Sequence, residues 1–302
     1  MVRESDADPP LTAHVRCTPA AGTALPSRPR VTMRRMVGFG SPSVTESSHS
    51  FGLGGTSIDY VLRRTPRARG MRLTIDAQRG LVVTLPPPTR RGWARLDGRI
   101  EAFLRDHEGW VIRHLDRLGR ERAEFAALGG ARDGGRIHYR GELHRVHVEA
   151  SPRGLRRSMV ERVGADDGDE LVIRRAARDT RTVASILEAW LRERATEAIG
   201  RAVETHAREL RVTPRLVVLR DPRGRWGSAS RQGRLMFSWR LVLAPEGALE
   251  TVVVHELAHL RVFGHGPAFW ALVASRRPDH RSQRAWLRRH SHLLHAVLDT
   301  LR

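Results

Sequence analysis

The stretch "VVVHELAHLRVFGH", residues 252–265, places three histidines and one glutamate directly after an apolar run. The apolar residues around these groups predict a helix from about Ala248 to Phe263 that is buried on most sides. His255 and His259 are four residues apart, so their rings project from the same helix face, about one turn from each other. Two imidazoles at this spacing can bind one tetrahedral Zn²⁺ at ~2.0–2.1 Å.

The same stretch supplies a candidate base and a candidate third metal ligand. Glu256 lies beside His255 and can reach a water held by the metal, which is the H-E-x-x-H arrangement of zinc hydrolases. A catalytic zinc usually takes three protein ligands and leaves the fourth position to water. Gly264 is placed to end the helix as a left-handed C-cap, and Pro267 opposes its continuation. His265, between them, is the predicted third ligand; the weaker candidates are Asp279, His280, His290, His292 and His295.

An alternative interpretation is that His255 and His259 are buried core histidines and that Glu256 is a surface residue. This alternative leaves titratable groups half-buried on an apolar helix without partners, which costs free energy. The valine run before the motif, the glycine turn after it and the histidine directly past the turn all favour the metal site. The sequence therefore predicts a Zn²⁺ ion held by His255, His259 and His265, with Glu256 as the catalytic base.

Length and composition limit the class of protein. The 302 residues are enough for one large domain or two small ones. The single cysteine, Cys17, excludes an internal disulfide and a cysteine zinc ribbon. The first residues, "MVRESDADPP", lack the pattern of a signal peptide, and no apolar run approaches the ~18 residues of a membrane span. We therefore expect a cytoplasmic protein with no membrane partner.

The net charge of +20 raises the question of nucleic-acid binding. Every basic residue apart from histidine is arginine, and lysine and asparagine are both absent, which is typical of a GC-rich coding sequence. The arginines are spread along the chain, so the favoured interpretation is a solvated basic surface. The segment "RRPDHRSQRAWLRRH" is expected to be a solvated basic helix for the same reason. Any nucleic-acid binding is predicted to be weak, non-specific and sensitive to salt.

The chain divides by pattern into three regions. Residues 1–55 are rich in Pro, Ser, Gly and Thr without a sustained period, and predict a disordered head. An alternative for this region is that translation begins later, at Met33 or Met36. Residues 56–175 predict a β-rich N-terminal region, and residues 176–302 predict a region with an active-site helix. The fold class predicted from these patterns is α+β.

Finer features follow inside the last two regions. The N-terminal region contains short strands, an amphipathic helix with a break near Gly109, and a hairpin that turns at Arg140-Gly141. The C-terminal region begins with a long helix over residues 179–210. A strand, the loop "PRGRWGSASRQG" and a second strand, "RLMFSWRLVLA", then lead to the histidine-bearing helix.

Residues 224–287 resemble the YgjP-type metallopeptidase family, a distant relative of the SprT-like proteases within the zincins. The resemblance extends over about residues 56–290. It rests on the R-W-G-S loop at 225–228, Trp239-Arg240-Leu241, H-E-L-x-H with the later His265, Phe269-Trp270 and Pro278-Asp279. One departure is Ala229, where members often carry a cysteine; that cysteine is not among the expected ligands.

The resemblance implies a zincin-like catalytic region. It places the strand at 234–241 alongside the active-site helix, where its backbone would meet an extended peptide. It also places the R-W-G-S loop close to the metal. In that position Arg225 could stabilise a developing oxyanion. The alternative is that Arg225 is an ordinary charged loop residue and that Trp226 packs against the core. For Phe269, Trp270 and Val273, which share one helix face, core packing is the favoured interpretation.

The predicted function is a zinc-dependent metallopeptidase that acts on a peptide or protein substrate. One alternative is an SprT-like protease acting on nucleic-acid-bound proteins. The other is a non-catalytic binding module stabilised by a structural zinc, which would require a fourth protein ligand such as Asp279 or His280.

Overall fold

The computed structural model of the chain describes residues 15–17, 44–96, 98–150, 155–165 and 168–298. The fold is mixed α+β, which confirms the predicted class. Residue contacts divide the chain into two compact units, one within residues 9–120 and the other within 121–302. The predicted boundary near residue 175 stays a prediction, since compactness alone does not define an independently folding domain.

The first unit is built on a five-stranded sheet in the order β1-β4-β5-β3-β2, in which β3 and β5 are parallel and all other neighbours are antiparallel. Its strands are β1 (Val15–Cys17), β2 (Thr45–Leu53), β3 (Thr56–Arg64), β4 (Met71–Asp76) and β5 (Gly80–Leu85). Two helices follow, α1 (Arg99–Asp106) and α2 (Glu108–Leu128), and the boundary of the unit at residue 120 falls within α2. The predicted break near Gly109 lies at His107, which has left the helical conformation at φ −117°.

Strand β2 corrects the end of the predicted disordered head. Residues 45–53 pair with β3 along their whole length, through a turn at Gly54-Gly55 in which both glycines have positive φ. Most of this edge strand is exposed and polar, so its hydrophobic alternation is too faint to mark a strand. Two consecutive glycines between two strands favour a tight hairpin, so Gly54-Gly55 was the sequence signal that could have revealed β2. Residues 15–17 of the head also form a strand, β1, which pairs with β4. The rest of the head, apart from Val44, lies outside the described residues.

The second unit contains two sheets and most of the helices. A four-stranded sheet runs in the order β6-β7-β9-β8, and a three-stranded sheet in the order β10-β12-β11. The strands are β6 (Arg136–Tyr139), β7 (Glu142–Ala150), β8 (Met159–Ala165), β9 (Gly168–Arg175), β10 (Leu216–Arg220), β11 (Gly227–Ala229) and β12 (Arg234–Ser238). The helices are α3 (Val183–Leu210), α4 (Glu246–Ala258), α5 (Pro267–Arg276) and α6 (His280–Ala296).

Helix α3 forms as its sequence predicts and lies along the core of this unit. The Thr182 side chain caps its first turn by accepting a hydrogen bond from the Ser185 backbone N–H. Ten of its side chains are buried at helical spacing, including Leu187 and Leu191. Among the described helices, none is long and apolar enough to cross a bilayer.

Two predicted elements end earlier than expected. The predicted strand over 234–244 is β12 followed by a 3₁₀ turn, Trp239–Leu243, which begins where the Ser238 hydroxyl accepts a hydrogen bond from Arg240 N–H. Helix α4 ends at Ala258 instead of Phe263, because the chain turns there towards His265. Apolar residues continue past the ends of both elements, so the sequence pattern does not show these turns.

The predicted hairpin at Arg140-Gly141 is confirmed, and it supports the entry to α4. Both residues have positive φ, and their N–H groups donate to the carbonyls of Val242 and Leu243 in the 3₁₀ turn. A Cβ on Gly141 would lie 2.5 Å from Pro245 Cγ, so only glycine allows this approach. The hairpin thus fixes the chain immediately before the histidine-bearing helix.

Buried His138 on β6 makes stability depend on pH. Burial first, and then the nearby His290, lower the pKa of His138 to about 4 in the folded state, against ~6.5 when unfolded. The unfolded chain therefore binds more protons between these values, so the free energy of unfolding should fall as pH drops from ~6.5 to ~4. The free energy of unfolding, measured by chemical denaturation across this range, should change less with pH in His138→Gln than in the parent protein. The half-exposed His147 on β7 provides the control, and an unchanged slope in His138→Gln would contradict the assignment.

Candidate metal centre

Three histidines converge where α4 ends and the chain turns back. His255 lies in the last turn of α4 and His259 caps its C-terminus, while Gly264, at φ +86°, turns the chain so that His265 returns to them. One ring nitrogen from each lies within 4.8 Å of the others. His265 Nε2 is 3.2 Å from His255 Nε2. Two nitrogens bound to one tetrahedral zinc lie ~3.3 Å apart, so this spacing fits a shared ion.

The protonation states of these rings suit metal binding. Burial first, then the neighbouring His259 and His265, lower the pKa of His255 to about 3, so this imidazole is neutral at pH 7. Burial and His265 also lower the pKa of His259. Neutral imidazole is the form that binds a metal. The Nδ1 atom of His259 lies 3.4 Å from the Val262 carbonyl, a contact that leaves Nε2 directed towards the other rings.

Aromatic side chains of α5 hold the histidine rings in place. The Phe269 ring stacks on His259, with centroids 4.4 Å apart, and meets the edge of His255 at 4.9 Å. Trp270 lies against His265 at 5.8 Å. Phe269 and Val273 are fully buried, as predicted, but Trp270 is half-buried and faces the site. The α5 helix therefore does more than pack the core: it restricts the rotamers of the candidate ligands.

Glu256 lies against the backbone of β11. Its side chain is buried, with 6 % of the residue exposed, although it follows a candidate metal ligand. A Cβ on Gly227 would lie 2.6 Å from Glu256 Oε1 and 2.7 Å from its Cγ. Glycine in the R-W-G-S loop is thus the residue that leaves room for this carboxylate, a role that the sequence alone did not reveal.

The weaker ligand candidates lie apart from the three histidines. Asp279 accepts hydrogen bonds from Arg277 and Gln283, and the His280 ring stacks on Trp270. The remaining three contact other groups on α6 or beyond it: His290 stacks on Trp286, His292 pairs with Glu124, and His295 stacks on Trp226. Within the described residues, none of the five belongs to the cluster.

A second group of potential ligands, Glu142, His144 and Asp169, lies in the four-stranded sheet. Its centre is taken by Arg162, which donates to His144 Nε2 at 2.9 Å and forms an ion pair with Asp169. Arg162 Nη2 also lies 3.6 Å from Glu142. The guanidinium supplies the positive charge that a metal would bring, so this group is an ion-pair network.

A cavity of about 70 Å³ adjoins the histidine cluster, and His255 and Glu256 both line it. Arg225 lies on its wall, at the exposed end of the loop before β11. Trp226 lines it too, and its half-buried ring stacks on His295 at 4.9 Å, as expected of a packing residue. Substrate atoms in this cavity would lie beside the candidate base.

A helix that carries H-E-x-x-H, completed by a histidine from the following loop, is the arrangement found in metal-dependent hydrolases. The chain belongs to the YgjP-like family, whose metallopeptidase-domain model matches residues 69–290. The matched region includes the three histidines, Glu256 and the R-W-G-S loop, and confirms the resemblance seen in the sequence. No curated protein and no solved structure matches the chain.

The contact between Gly227 and Glu256 yields a prediction. Gly227→Ala should lower the free energy of unfolding by ~1–3 kcal/mol, because the new methyl group overlaps the buried carboxylate. Gly200→Ala, in the middle of α3 where a Cβ meets nothing, is the matched control and should raise it by ~0.4–1 kcal/mol. Urea denaturation of both variants measures the difference. Equal effects in the two would show that Glu256 does not lie against β11.

Proposed function

We propose that the protein is a zinc-dependent peptidase in which His255, His259 and His265 hold the metal and Glu256 is the general base. The observation that carries the proposal is the convergence of three imidazole nitrogens within 4.8 Å, beside a cavity that Glu256 also lines. Three imidazoles are a donor set that suits zinc. Membership of a metallopeptidase family supports a peptide or protein as the substrate.

The chain's own residues have distinct tasks in this mechanism. Zn²⁺, when bound, supplies Lewis-acid polarisation of the scissile carbonyl and activation of a water. Glu256 accepts the proton as that water attacks, and then delivers it to the leaving amine. Burial of Glu256 against Gly227 limits the positions that its carboxylate can adopt. Such restriction supports efficient proton transfer, since a base must stay within hydrogen-bond reach of its proton.

The sheet next to α4 offers a place for an extended substrate, but not where the sequence suggested. Strand β12 is paired on both sides, with β10 and with β11, so its backbone groups cannot also pair with a peptide. Among the described strands, β11 pairs only with β12 and has a free edge. Because β11 also approaches Glu256, we assign peptide pairing to β11 and no longer to residues 234–241.

A purely structural zinc is the less well supported alternative. Structural sites are normally closed by four protein ligands. In the described parts of the chain, three histidines form the cluster, and Asp279 and His280 make other contacts. His265 is also exposed, so the centre lies open to solvent on one side. An open centre with a neighbouring carboxylate supports catalysis.

Two substitutions separate the roles of ligand and base. Glu256→Gln should keep one zinc per chain, because the amide is nearly isosteric and three imidazoles remain. It should reduce peptide hydrolysis by ~10²–10⁴-fold, because an amide cannot accept the proton of the water. His265→Ala should lose both zinc and hydrolysis, since two imidazoles form a poorer site. Elemental analysis and a fluorescent peptide assay measure the two quantities.

The outcomes distinguish the interpretations. A structural zinc predicts that His265→Ala unfolds the region while Glu256→Gln changes nothing measurable. Core histidines predict no stoichiometric zinc in any variant. Full peptidase activity in Glu256→Gln would contradict the mechanism, whatever the zinc content.

A further inference from the structure

The cavity beside the candidate metal centre is strongly basic on one side. Three arginines line it: Arg225 from the loop before β11, and Arg284 and Arg288 from α6. The one carboxylate in its lining is Glu256, which is assigned to proton transfer. Within the described residues, neither Arg225 nor Arg288 forms an ion pair. The cavity therefore carries excess positive charge directly beside the position of the reacting bond.

Two of these arginines, Arg284 and Arg288, line the cavity from α6. They are four residues apart, so they share one helix face, where their like charges repel each other. The Arg284 guanidinium lies over the Trp270 ring, 4.6 Å from its centroid. Stacking on an aromatic face limits the motion of the planar guanidinium and so holds its charge beside the cavity.

The rest of the lining is apolar and small. Val252, Val273 and Leu287 are buried and form its inner wall. Thr251 adds a hydroxyl, but that group donates to the Gly247 carbonyl within α4. A volume of about 70 Å³ exceeds the ~10–15 Å³ that one water requires, and suits the end of a single side chain. The cavity thus has the form of a pocket with aliphatic walls and a cationic rim.

We propose that Arg225, Arg284 and Arg288 form a carboxylate-binding subsite beside the catalytic centre, so that the enzyme favours peptides with an acidic group next to the scissile bond. The proposal rests on the peptidase function proposed above. The carboxylate belongs either to an aspartate or glutamate side chain or to the free C-terminus of the substrate. Both bring the same planar anion, which a guanidinium binds through two parallel N–H···O bonds.

A peptide carboxylate fits this pocket better than a nucleic-acid phosphate does. The apolar walls match the methylene groups that precede the carboxylate of glutamate, whereas a phosphate diester brings a bulky sugar on each side. The subsite also adjoins β11, the strand edge that is free to pair with an extended peptide. A side chain from such a peptide would enter the pocket within one or two residues of the scissile bond.

The test compares matched synthetic peptides with the full-length, zinc-loaded protein. One pair differs only by glutamate or glutamine beside the scissile bond and has an amidated C-terminus. A second pair carries glutamine there and differs only by a free or amidated C-terminus. In at least one pair, kcat/KM should be ~10–100-fold higher for the peptide that carries the carboxylate. Hydrogen bonds between a guanidinium and a carboxylate are strong enough to produce a difference of this size.

Substitutions on α6 assign that preference to the pocket. Arg284→Gln and Arg288→Gln should each reduce the carboxylate preference by about tenfold or more, and Arg288→Glu should favour glutamine over glutamate. The matched control is Arg289→Gln, on the same helix but outside the cavity lining, which should keep the parent ratio. Because both peptides of a pair are compared with the same variant, the ratio of their kcat/KM values is unaffected by any loss of folded or metal-loaded protein.

A binding assay keeps the two proposals distinct. Fluorescence anisotropy with the Glu256→Gln protein measures the affinity of the same peptides without turnover. If the parent cleaves no peptide, the proposed function fails; if it cleaves or binds both members of each pair equally, only the subsite fails. A single-stranded oligonucleotide whose binding depends on Arg284 and Arg288, with no discrimination between the paired peptides, would assign these arginines to phosphate and overturn the proposal.

Discussion

The burial of α4 is the constraint on which the rest of the site depends. The helix is apolar almost all round, and its valines 253 and 254 and Leu257 are fully buried. A helix that is apolar on every side must lie in the interior, so the few polar groups it carries can face outward only along one narrow strip. His255 and His259, four residues apart, share that strip, whereas Glu256 projects from a neighbouring face and is buried against β11. Their positions thus follow from how α4 is buried, before any metal is considered.

Contacts on both sides of α4 keep that burial specific. The hairpin turn at Arg140-Gly141 bonds to the 3₁₀ turn that precedes the helix. In the same turn, buried Arg240 donates twice to Asp221 and once to the Leu294 carbonyl, which ties the turn to α6. Removing one partner of such a pair leaves a buried charge unsatisfied, so these contacts set the register of the whole region. They also connect α6, and its arginines, to the helix that carries the candidate base.

Much of this arrangement could be predicted from local sequence. The spacing of His255 and His259 and the period of α3 each depend on residues a few positions apart, and those predictions hold. Gly264 does turn the chain, at φ +86°, but it is not the helix C-cap that the sequence predicted, because α4 already ends at Ala258. The convergence of His265 with the other two rings also follows the prediction, although the helix ends five residues earlier than expected. Its end depends on the tertiary path of the chain, which hydrophobic periodicity does not record.

The features that were missed depend on residues distant in sequence. Gly227 meets Glu256 across 29 positions, and nothing near either residue signals that contact. The basic segment of α6 is a helix whose arginines are mostly exposed, as predicted, but the sequence did not show that Arg284 and Arg288 also line the cavity, because that depends on how the helix packs. Strand β2 was missed because an exposed edge strand needs little apolar alternation. Strand β12 was expected to pair with a peptide, but it lies between two other strands, and strand order is not a local property of the sequence.

X-ray absorption spectroscopy at the zinc edge of the metal-loaded protein tests the central claim most directly, because it counts the atoms bound to the metal. We expect a first shell of three imidazole nitrogens and one oxygen at ~2.0–2.1 Å. Multiple scattering from the rings should correspond to three histidines. A shell with four imidazoles would show a closed structural site, and a shell without imidazole would show that His255, His259 and His265 do not hold the metal; either result would contradict the account.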